Sequence, residues 1–131
     1  MMKKLTLILS LIFTVTLSSP SYAKWTKVVE SLNGNIFYVD KEEIRKHDGY
    51  VHYWVLTDYL KPSRRGNLSN KTLLQGDCKL SRVKSLHEHY FTGKAGRGTM
   101  KVWKPNKSQS KWWDLPPDSS FAIILKSICS Q

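Results

Sequence analysis

Hydrophobic and polar residues alternate most regularly between Tyr50 and Leu60. Val51, Tyr53, Val55, Thr57 and Tyr59 share one face of an extended chain there, and His52, Trp54 and Leu56 share the other. Apolar groups on both faces predict a central strand, or one covered by a helix on one side. Trp25 to Glu30 has the β-branched and aromatic content of a first strand. Asn33-Gly34 is the strongest two-residue hairpin signal in the chain and leads into a second strand over residues 35–40. The charged run from Lys41 to Lys46 predicts a helical turn, and the Asp-Gly of His47-Asp48-Gly49 marks another reversal. Residues 61–70 read as a basic loop, and residues 71–91 as one or two strands interrupted near Gly76-Asp77. A Gly-rich turn over 92–98, a strand over 99–104 and a polar loop over 105–110 follow.

The period changes at the end of the chain. Phe121, Ile124, Leu125 and Ile128 recur at i, i+3, i+4 and i+7, which lines one face of a helix. Asp118 or Ser119, just after Pro116-Pro117, supplies its N-cap. The predicted class is therefore α+β: a single antiparallel β-sheet with a C-terminal α-helix packed on it. No internal repeat or linker divides the chain.

The first residues follow another logic. Lys3 and Lys4 precede an apolar run from Leu5 to Leu17, Pro20 breaks it, and Ser21-Tyr22-Ala23 places small residues at positions −3 and −1 of a cleavage site. Residues 1–23 are thus expected to be a signal peptide cleaved after Ala23, because the run is shorter than the ~20 residues a spanning helix needs. Residues 24–131 form the expected mature domain, with no membrane span after cleavage. The residue directly after Ala23 is Lys24 and not a cysteine, so a lipoprotein is not expected, and the expected location is periplasmic or secreted.

Lys3 and Lys4 carry two of the +11 formal charges, so residues 24–131 carry +9. Such a balance favours encounter with anionic surfaces without specifying a site. Both cysteines, Cys78 and Cys129, lie in the exported part. In an oxidising compartment one bridge is expected between them, two free thiols being the alternative. Neither belongs to a CxxC, which leaves redox catalysis without support.

An ordered set of residues resembles the surface-adhesin protein E-like domain family of Gram-negative bacteria. It comprises Trp25, the Phe37-Tyr38-Val39-Asp40 segment, the run from Val51 to Tyr59, the Asp77-Cys78-Lys79 triplet with Arg82 downstream, and the late Cys129. The resemblance spans nearly all of residues 24–131, and Asp-Cys-Lys with the terminal cysteine is its most specific part. It implies one antiparallel sheet crossed by a helix, the Cys78–Cys129 pairing, and kinship with an outer-membrane adhesin that binds host proteins.

Candidate chemistry is thin. His87 and His89 share a strand face and could provide two ligands of a metal site, which needs a third and usually a fourth. Solvent-facing histidines are the plainer reading, and a small periplasmic metal-binding protein or hydrolase using them is the alternative function. No Gly-x-Ser-x-Gly elbow occurs, no carboxylates pair into an acid–base couple, and neither catalysis nor a cofactor is expected. Lys79, Arg82 and Lys84 follow Cys78, with Arg82 and Lys84 on one strand face; Arg64 and Arg65 lie in the basic loop. Trp112 and Trp113 stand among lysines, where exposed tryptophan suits stacking or anchoring, although one of the pair is expected to pack under the helix. The preferred reading is a non-catalytic, adhesin-like binding module. Its expected partner is a protein or anionic macromolecule of the envelope or host surface, and sheet-edge pairing would allow a homodimer.

Overall fold

A computed structural model describes residues 24–131; the expected leader and its cleavage site lie outside the described residues. Among the described residues, eight strands run β1 (Trp25–Glu30), β2 (Ile36–Asp40), β3 (Arg45–His47), β4 (Tyr50–Asp58), β5 (Ser69–Asp77), β6 (Arg82–Phe91), β7 (Met100–Trp103) and β8 (Trp113–Asp114), and one helix follows them, α1 (Ser120–Cys129). All strand pairs are antiparallel, in the order β1-β2-β4-β5-β6-β7.

Two strands depart from the pattern reading, each for a local reason. The helical turn after Asp40 is only the 3-10 turn Lys41–Glu43, capped by an Asp40 Oδ1 that accepts from the Glu42 N–H at 3.1 Å. The chain then re-enters the sheet as β3, beside the first residues of β4, while β2 pairs with the last ones. Asp48 and Gly49, both at positive φ, make the tight β3–β4 reversal. The second departure is β8, where Trp113 pairs with Val83 and Asp114 with Arg82, in line with β7 along the same side of β6. Two residues are too few to show a period, so β8 left no trace in the sequence.

The helix covers one face. Its N-cap is Ser119, whose Oγ accepts from the Ala122 N–H at 3.2 Å. Ile124, Leu125 and Ile128 are buried against Phe37, Val39, Val51, Tyr53, Val55, Leu74 and Val83. The alternation predicted along β4 sends its odd-numbered apolar side chains into this core. Cys78, in the turn after β5, joins Cys129 at the end of α1 through a disulfide with a Cα–Cα distance of 5.9 Å. Beside it, buried Asp77 accepts the Lys79 and Leu80 N–H groups at 3.1 and 3.2 Å and pairs with Arg82 Nε at 3.1 Å.

Gly76 is not part of that turn. It lies within β5 under the helix, and a Cβ there would sit 2.5 Å from Leu125 Cδ1, 3.0 Å from Val51 Cγ2 and 3.1 Å from Tyr53 Cε1. Glycine lets α1 approach the sheet this closely.

A bulge decides which side chains of β6 share a face. Leu73 pairs with His87 and Leu74 with Ser85, which leaves Leu86 as the extra residue. As a result Arg82, Lys84, His87 and His89 face away from the helix, and Val83, Ser85, Glu88 and Tyr90 face toward it.

Candidate binding site

The helix-free face carries the aromatic and cationic groups, in two clusters. The first is built on Trp112, just before β8. Its ring lies 5.3 Å from the Tyr50 ring, with the Arg82 guanidinium carbon 4.4 Å and Lys84 Nζ 4.7 Å from its centroid. These are cation–π distances, and they hold two cations beside one flat apolar surface. Arg82 is fixed from behind by Asp77. Burial alone would raise the Asp77 carboxyl, but the Leu80 and Lys79 N–H groups and the Arg82 guanidinium outweigh it and hold it below the ordinary carboxylate value.

The second cluster surrounds Trp54. Its ring is 5.2 Å from His89, and the His87 and His89 rings are 6.5 Å apart. Lys71 Nζ stands 5.5 Å from the Trp25 ring centroid and 5.3 Å from that of Phe91. Burial, then the charge of Lys24, lowers the Lys71 ammonium. Burial also lowers His89, with further contributions from His87 and Lys71, so its imidazole stays neutral to lower pH than an ordinary histidine. A cavity of about 220 Å3 opens here, bounded by Trp25, Trp54, Lys71 and His89, with Asp40 and Glu43 at its side. The Thr92–Gly98 loop is tied down at this end: Ser69 Oγ donates to the Gly93 carbonyl at 2.6 Å and Asp58 Oδ1 accepts from the Ala95 N–H at 2.8 Å.

The remaining residues singled out in the sequence are dispersed. Lys79 is exposed on the turn after β5. Arg64 and Arg65 line a separate cleft of about 540 Å3 with Glu88, Tyr90, Lys101 and Trp103. Trp113 is 64 % exposed and, one residue from Trp112, points to the opposite side of the sheet, beside Leu115 and Phe121. Neither tryptophan joins the core beneath the helix. Among the described residues no three histidine, cysteine or acidic side chains are grouped to hold a metal ion, so His87 and His89 gain no third ligand. The site positions missed by pattern reading include Tyr50, Trp25, Trp54 and Lys71. Their common face depends on strand registers that no single segment carries.

The family model for surface-adhesin protein E matches residues 25–130. The chain belongs to that family. No curated protein sequence matches it. Crystal form II of Haemophilus influenzae protein E superimposes with a TM-score of 0.61 at 17 % identity, over 88 % of this chain and 97 % of that one. The selenomethionine form of Haemophilus influenzae protein E gives 0.61 at 18 % identity, over 86 % and 93 %. Protein E from non-typeable Haemophilus influenzae gives 0.57 at 17 % identity, over 88 % and 83 %. At these identities the likeness establishes the fold: one antiparallel sheet with a C-terminal helix, as the residues predicted. Among the described residues, no helix is long and apolar enough to cross a membrane.

Proposed function

We propose that this protein is an exported, non-catalytic binding module of the adhesin type, which engages an anionic macromolecule of the envelope or host surface through its helix-free face. The observation that carries the reading is the Trp112 cluster, where Arg82 and Lys84 stand at cation–π distance from one ring and Tyr50 packs beside it. Half-buried cations beside an aromatic plane suit sulfate, phosphate or carboxylate groups on a polymer with flat apolar surfaces of its own. Membership of the adhesin family and the net positive charge support the same reading.

Immobilised heparin, a sulfated polysaccharide, is the test. Retention beyond physiological ionic strength is expected, with earlier elution of Lys84→Glu and Trp112→Ala. Elution of the wild-type protein below physiological salt, or unchanged retention of both variants, would overturn the reading. Export is checked separately, by recovering from the periplasm or medium a protein whose first residue is Lys24.

A further inference from the structure

On the helix side of the sheet a cleft of about 400 Å3 opens between the β5–β6 pair and the Asp114–Phe121 segment. Its walls are mostly apolar, from Leu74, Val83, Leu115 and Phe121, with exposed Trp113 at the rim. Asn70, Ser85 and Glu88 line it without adequate partners, and exposed Asp114 borders it as a second carboxylate. Asn70 Oδ1 and Ser85 Oγ are buried and accept or donate no hydrogen bond. Glu88 accepts only from the Tyr90 hydroxyl, at 3.1 Å, and among the described residues no cation pairs with it.

The register arranges these groups in a row. Glu88 stands opposite Thr72, Asn70 lies toward one side of it opposite Tyr90, and Ser85 lies toward the other opposite Leu74. Burial raises the Glu88 carboxyl, and the Tyr90 hydrogen bond offsets this only in part. Buried polar atoms in folded proteins nearly always have partners, so such a row marks a place for a donor from outside the chain. The ionised carboxylate and the amide oxygen only accept, which disfavours an anion; the apolar walls disfavour a free sugar, which needs donors as well.

We propose that this cleft binds a small organic amine, with its ammonium at Glu88, a further N–H given to Asn70 Oδ1 or Ser85 Oγ, and its apolar body against Leu74, Val83, Leu115 and Phe121. Trp113 offers its ring to the same cation or to the apolar body. Arg64, Arg65 and Lys101 line the adjoining cleft, which shares Glu88 and Tyr90. They oppose a second cation, and the test must show that Glu88 prevails over them.

Phenethylamine is a suitable probe, compared by titration calorimetry with 2-phenylethanol, which has the same body and no charge. The full mature protein is expected to bind the amine at least ~10-fold more tightly. Glu88→Gln keeps an acceptor for Tyr90 and should reduce that preference to less than about twofold while heparin retention stays unchanged. Amide and indole shifts on titration should fall at Ser85, Glu88 and Trp113, which locates the site even where affinity is weak. Equal binding of the two probes, no saturable binding at millimolar amine, or an unaltered preference in a folded Glu88→Gln protein would each overturn the proposal.

Discussion

Gly76→Ala tests how closely the helix rides on the sheet. The added methyl would lie 2.5 Å from Leu125 Cδ1, with Val51 and Tyr53 carbons at 3.0 and 3.1 Å behind it. Leu125 is 2 % exposed, Val51 4 % and Tyr53 0 %, so none has free space to swing into. Two effects oppose each other. Replacing glycine within a strand favours folding by about 0.5–1 kcal/mol, because the unfolded chain loses freedom. Overpacking a tight core costs about 1–3 kcal/mol. The packing term prevails, for a net loss of about 1–2 kcal/mol, or a fall in Tm of about 4–9 °C for a domain of this length. Urea unfolding followed by tryptophan fluorescence should show a lower midpoint with the same m-value. Leu125→Ala alone costs about 2–5 kcal/mol, but it clears the space the new methyl needs. The double variant should therefore be more stable than the sum of the single losses predicts, by about 1 kcal/mol or more. An unchanged or raised midpoint in Gly76→Ala, or strict additivity in the double variant, would refute the close approach.

Other consequences can be measured on the same material. The Cys78–Cys129 bridge spans 51 positions, so replacing both by serine should cost about 4 kcal/mol in loop-closure entropy, read as a large drop in Tm that reductant reproduces in the wild type. Asp77 has a lowered folded pKa; its contribution is full above the ordinary carboxylate value of about 3.9 and is lost as pH falls through the lower folded value. Asp77→Asn should then lose about 1–3 kcal/mol near pH 7, with a gap to wild type that narrows in acid, followed by urea midpoints across pH. Glu88 has the opposite sign, since its raised folded pKa means stability declines as pH rises from about 4.3 through the folded value. Glu88→Gln should accordingly be more stable than wild type near neutral pH, with the advantage absent in acid below that window.

Much of this architecture is legible along the chain because its causes are local. The alternation from Val51 to Tyr59 marks the central strand, Asp48-Gly49 the reversal before it, and the 3.6 period with a cap at Asp118 or Ser119 the final helix. Two cysteines with no third competitor leave a single intramolecular pairing. The candidate sites are legible only in fragments. The spacing of Arg82 and Lys84 shows that they share a strand face, but Trp112 comes to them beside β8, a strand too short to be seen as a period.

Residue chemistry, the strand and helix periods and the charge balance are properties of the sequence alone, since each depends on neighbours within a few positions. Which side chains meet is another matter. The extra residue Leu86 in β6 places His87 and His89 on the same side as Arg82 and Lys84, and Glu88 on the other, against a strict count of two. One bulge thus separates the basic, aromatic face from the acceptor-lined cleft. Only pairing between β5 and β6 fixes where that bulge falls, because the register is chosen by the whole sheet burying its apolar face under the helix.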